Sequence, residues 1–226
     1  MCWNKDVSIN TFIFACFALG FIYFANTYTK YKIEYFQEHS FYYVFMFSFV
    51  VMQLIEYYLW ISIETKNTKL NYWFSILGFI TILLQPIFAL LLITKHINLR
   101  NALLLLYLLN ISIYLLYSYF FNPIEFITTR GKNNNLKWNW LFIDYTTIIV
   151  LIIWFLCFFI GFSLEDSNII NVSMILCLAL FFIYTNGKTQ EWGSLWCFFV
   201  NISLFYFLIH ILFYQPFLEY KNICGF

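Results

Sequence analysis

Apolar residues in this chain come in long unbroken runs, not in every-second-position alternation. A membrane β-strand alternates lipid-facing and lumen-facing positions, so the runs argue against a barrel. A helix needs about 20 mostly apolar residues to cross the ~30 Å hydrocarbon core. Seven runs meet that requirement: 8–26, 41–63, 70–94, 101–121, 142–163, 168–185 and 191–214. The sixth is the weakest, diluted at its start by Asn168, Asn171 and Ser173. The pattern predicts an all-α integral membrane protein with seven transmembrane helices, forming a single membrane domain over 1–226. Helices satisfy their own backbone groups, as lipid requires.

The connectors are short. The longest, 122–141, holds Asn122-Pro123 and then Arg130-Gly131-Lys132-Asn133-Asn134-Asn135, a turn-rich, polar, basic segment. Seven spans put the two termini on opposite sides of the membrane. The N-terminal side, here side A, then carries Lys5, Lys66, Lys69, Arg130, Lys132, Lys137 and Lys188. Side B carries Lys30, Lys32, Lys95, Arg100 and Lys221. The excess on side A predicts a cytosolic N-terminus. Trp73-Phe74-Ser75 and Trp192-Gly193-Ser194 open the third and seventh runs, and Trp3-Asn4 and Trp138-Asn139 precede the first and fifth. These echoes are compatible with two three-helix units joined by helix 4.

Composition agrees with the pattern. The chain is 63% hydrophobic and 10% charged, against about 25% charged in a soluble domain. Lipid is therefore the expected solvent and partner. A net charge of +1 gives no electrostatic reason for nucleic acid binding. The 30 Phe and 18 Tyr read as core and lipid-facing filler. Cys2, Cys16, Cys157, Cys177, Cys197 and Cys224 contain no CxxC and suggest no disulfide framework. The first run lacks a small-x-small cleavage site and reads as a span, not a signal peptide.

Ionisable and polar groups at membrane depth are candidates for function. Glu56 lies well inside the second run, and Gln53, Glu56 and Trp60 share a helix face. The charged form of a carboxyl there is costly unless a cation or donor meets it, which suits proton or cation handling. Helix–helix hydrogen bonding is the structural alternative. In the third run, Gln85-Pro86 predicts a kink that frees a carbonyl beside a Gln, as in transport sites or in ordinary packing. Asp144 and Glu191 open helices on side A, with Trp138, Trp140, Trp192, Trp196 and Cys197 nearby. Together with Glu56 they would line a side A vestibule. Otherwise the acids answer helix dipoles and the Trp residues form an interfacial belt.

His39, His96 and His210 all fall on side B, a weak zinc signal with no HxxxH or HxD pairing. No other cofactor is indicated. GxGxxG, Walker A and GxSxG are absent, and no Lys lies mid-way along helix 7 for a retinal Schiff base.

Met1-Cys2-Trp3-Asn4, Gln85-Pro86 and Glu191 followed by Trp196-Cys197-Phe198 together resemble a family of multi-pass membrane proteins of no established activity. Its members begin Met-Cys-Trp-Ser or Met-Cys-Trp-Asn and occur in bacteria, algae and large DNA viruses. The composition here is most similar to the viral members. The resemblance implies that Cys2, Trp3, Asn4, Gln85, Pro86, Glu191, Trp196 and Cys197 are motif positions. Bacterial members carry a His one turn before Gln-Pro and a Trp-His before helix 5, where this chain has Thr81 and Asn139.

Three functional expectations follow. The first is a small transporter or channel-like protein using Glu56, with Gln53, Gln85, Pro86 and Glu191 shaping a path for a proton, cation or small solute. The second is an intramembrane lipid-modifying hydrolase, with zinc in one version. The third is a viral envelope or other structural membrane protein, in a host or viral membrane.

Overall fold

A computed structural model describes residues 4–131, 134–141, 145–164 and 192–224. The side chains of 145–148, 162–163, 192–200 and 222–224 lie outside that description. The described chain is mostly helical: α1 (Lys5–Tyr28), α2 (Glu34–Glu38), α3 (Phe41–Glu64), α4 (Thr68–Leu91), α5 (Ile97–Phe120), α6 (Tyr145–Ser163) and α7 (Trp192–Ile209). A π-helical turn, His210–Tyr214, then leads into α8 (Gln215–Cys224).

Among the described residues, five helical segments are long and apolar enough to cross a membrane: α1, α3, α4, α5 and Asn201–Lys221. The apolar part of α6, Ile149–Gly161, is shorter. The chain is therefore a multi-pass integral membrane protein. The expected span 168–185 lies outside the described residues.

Two helix starts run past the apolar runs where an Asn caps them. The Asn4 side chain accepts from Val7 N at 2.8 Å, so α1 starts at Lys5, before the predicted residue 8. Asn67 accepts from Leu70 N at 3.0 Å and opens α4 at Thr68. The last span also corrects the predicted end at 214, because helical structure continues through the π turn to Cys224.

Helix α3 is the hub. It packs against α4 and α1 and also touches α7, while α6 and α5 pack on α4 and on each other. Phe45, Phe49, Met52, Leu59 and Trp60 of α3 are buried. The outer helix α5 instead presents Leu105, Leu109, Ile113 and Leu116 outward, as a lipid-facing helix should.

The seam between α4 and α6 is close. A Cβ added at Gly161 would lie 2.3 Å from the Ala89 carbonyl oxygen. The absence of a side chain at Gly161 lets the two backbones meet there.

Pro86 sits inside α4 and cannot donate to the carbonyl of Ile82. Trp154 of α6 fills that place, its indole N–H donating to Ile82 O at 2.9 Å. Tyr107 of α5 donates to Leu83 O at 2.8 Å. The carbonyl freed by the proline is thus a docking point for α6. Trp154→Phe is expected to leave it bare and to cost about 1–3 kcal/mol. Adding Pro86→Ala should recover much of that loss by restoring the backbone donor. Thermal unfolding of the single and double variants checks both expectations.

On side B, Lys30 and Tyr31 both donate to Glu219, Tyr31 at 2.7 Å. The bond to the Glu219 carboxylate holds the Lys30 amine above its usual pKa. Gln215 donates to Lys32 O at 2.7 Å and fastens the start of α8 to the same loop.

Candidate functional site

The site is built on the face of α3 that carries Gln53, Glu56 and Trp60. Gln53 and Glu56 are both 0% exposed and Trp60 is 3% exposed. Gln53 and Glu56 each take part in further interactions within the bundle. Glu56 stands about 12 Å from the helix end at Glu64, at 1.5 Å per residue.

Helix α4 runs antiparallel to α3. Asn71 meets Ser62, and Gly78 meets Ile55. That register puts Leu77 opposite Glu56 and Gln85 opposite Ser48. Gln85 is 0% exposed, and neither polar atom of its side chain has a hydrogen-bond partner among the described residues. Buried amides are normally satisfied, and an unmet one costs about 1–3 kcal/mol. By level, Gln85 lies a further ~12 Å from Glu56 along the helix axis. A series of buried polar groups therefore extends from the side A end deep into the bundle.

At the side A end stands a feature that the sequence pattern does not predict. Segment 122–141 was expected to be a polar connector, but it contains a β-hairpin. Strand β1 (Thr128–Arg130) pairs antiparallel with β2 (Leu136–Trp138), with Thr129 opposite Lys137. Asn134 takes a left-handed conformation in the turn (φ 58), which Asn tolerates.

Leu136, Trp138 and Trp140 are at most 1% exposed. The two indoles stack at 4.8 Å between centroids. Trp138 and Trp140 are thus core residues, a correction to the interfacial-belt reading. Trp73, 63% exposed, fits that belt. The Trp140 ring would be 3.2 Å from a Cβ at Gly78, so it lies against α4 beside Ile55. The polar letters of 129–137 conceal a period-two apolar pattern at 136, 138 and 140, which was the available signal.

Asn71 anchors the hairpin as a backbone segment would. Its Oδ1 accepts from Thr128 N at 2.8 Å, and its Nδ2 donates to Thr128 O and Ser62 Oγ, each at 2.9 Å. The hydroxyls of Ser75 and Thr128 bond at 2.8 Å, and Trp140 Nε1 donates to Thr128 Oγ1 at 3.2 Å. From the hairpin, Arg130 places its guanidinium 5.9 Å from the Trp60 ring centroid, one turn outward of Glu56. Asn71→Ala would strand two buried backbone groups of Thr128, at an expected cost of about 2 kcal/mol. Faster amide hydrogen exchange at Thr128 is the corresponding local readout.

No family model, curated protein or solved structure matches the chain.

Among the described residues, no three His, Cys, Asp or Glu side chains come together to hold a metal. The candidate zinc set is corrected on that ground. His39 follows α2, His96 precedes α5 and His210 lies in the π turn, so a shared membrane side did not become a shared site. Cys2, Trp3, Asp144 and Glu191 lie outside the described residues, as do the side chains of Trp196 and Cys197. Of the motif positions, Asn4 has a visible local role, the cap of α1.

Proposed function

We propose that this chain is a small transporter or channel-like membrane protein that passes a proton, cation or small solute along the buried polar face of α3. The observation that carries this reading is the placement of Gln53, Glu56 and Gln85, all 0% exposed, along the central helix pair of a membrane bundle. Intramembrane carboxyls are costly to keep and commonly serve ion or proton passage. Glu56 is the group that takes up and releases the ion. Gln53 and Gln85 offer further coordination and Pro86 shapes the deeper part; Glu191, the remaining residue of the expected path, lies outside the described residues.

The proposed arrangement has seven spans, with two three-helix units joined by α5 and the N-terminus in the cytosol. A second reading, a structural membrane component, draws on the α4–α6 seam and the filled Ile82 carbonyl. Both would also serve a protein whose purpose is rigid packing.

The experiment is reconstitution into liposomes holding a pH-sensitive dye, under imposed proton and potassium gradients. The transport reading expects flux above that of protein-free liposomes. Flux no greater than theirs under either gradient would favour the structural reading.

A further inference from the structure

The side A end holds a second feature that the path along α3 does not use. A cleft of ≈ 290 Å³ opens between the α3–α4 turn and the hairpin, lined by Ser62, Lys66, Asn67, Asn71, Thr128 and Arg130 among others. No Asp or Glu lines it among the described residues. Two cations reach it from separate elements, Lys66 from the turn and Arg130 from β1.

The ion pairs found among the described residues are Lys5–Glu64 and Lys30–Glu219. Lys66 and Arg130 therefore have no carboxylate partner there. Their positions are fixed by the fold. Lys66 holds a left-handed backbone (φ 54) that turns the chain between α3 and α4. Arg130 is two residues beyond Thr128, which Asn71 grips through both its N–H and its carbonyl, and it rests over Trp60.

We propose that this cleft binds a phosphate group, of the kind carried by an anionic phospholipid headgroup or by free inorganic phosphate. A guanidinium suits the planar, paired recognition of phosphate oxygens, and an ammonium adds a compact second charge. Exposed Asn67 and Thr68 belong to the same lining, whereas the hydroxyls of buried Ser62 and Thr128 are already hydrogen-bonded within the fold. The level is also right for a headgroup. The cleft sits where α3 ends and α4 begins, next to exposed Tyr72 and Trp73, the residues expected at the membrane–water boundary. Basic pockets between membrane helices are known to take anionic headgroups. This inference does not depend on transport.

The test uses full-length protein in phosphatidylcholine nanodiscs, with thermal unfolding followed as phosphatidic acid or inorganic phosphate is titrated. Wild type is expected to gain stability as the site fills. Lys66→Gln combined with Arg130→Gln should weaken the apparent affinity roughly thirtyfold, at about one screened contact per cation. Lys95→Gln combined with Lys221→Gln, at side B, should leave it unchanged and so control for total charge. A response to the lipid alone assigns the headgroup, a response to inorganic phosphate alone assigns the free ion, and a response to both assigns the phosphate group itself. No response to either, or an equal loss in the two double variants, overturns the proposal.

Discussion

Gly161→Ala is expected to destabilise the protein by about 3 kcal/mol or more, the upper part of the range for overpacking a close contact. The added Cβ would lie 2.3 Å from the Ala89 oxygen and 2.5 Å from its carbonyl carbon. Both are backbone atoms, so no side chain can swing aside. Helices α4 and α6 would have to separate by roughly 1 Å to reach ordinary contact distance. That shift would also stretch the bond from Trp154 to Ile82 O. Gly20 of α1 is the internal control, since a Cβ there meets nothing within 4 Å. Gly20→Ala should be stabilising by about 0.5–1 kcal/mol, because alanine loses less backbone freedom in a helix. Thermal unfolding of the two variants in one lipid composition compares them directly.

Glu56→Gln is expected to abolish transport while changing stability by no more than about 1 kcal/mol. Glutamine keeps the shape and most of the hydrogen-bonding capacity of the carboxylic acid, but it cannot exchange a proton or neutralise a cation. If the residue only joins helices, glutamine should serve nearly as well and nothing functional should change. Glu56→Leu separates the two roles further. It removes hydrogen bonding as well and should lower the melting temperature, because the groups that interact with Glu56 would lose their partner.

Much of this architecture was legible in the sequence, for a simple reason. A membrane span must be apolar throughout, so a length count locates it without knowledge of its neighbours. The runs at 8–26, 41–63, 70–94 and 101–121 correspond to α1, α3, α4 and α5, with ends displaced by caps such as Asn4 and Asn67. Helical spacing likewise placed Gln53, Glu56 and Trp60 on one face, and all three are buried.

Tertiary features were less visible. The hairpin was hidden because its strands are three residues each and carry Thr, Arg and Lys. Its stability comes from Asn71, more than fifty residues away in sequence, and from indoles that pack into the bundle. The role of Pro86 was half visible. A kink can be read from one residue, but the donor that fills the vacated carbonyl comes from Trp154 on another helix. The histidines show the same limit, since a topological count fixes the side of the membrane and not the distance between groups.

Proton flux into dye-loaded liposomes, driven by an imposed pH gradient and compared for wild type and Glu56→Gln at equal protein density, tests the central claim most directly. The account predicts flux in wild type and only the protein-free leak in Glu56→Gln, with both proteins folded by thermal unfolding. Equal flux in the two would contradict it, because the passage would then not run through the carboxyl of α3.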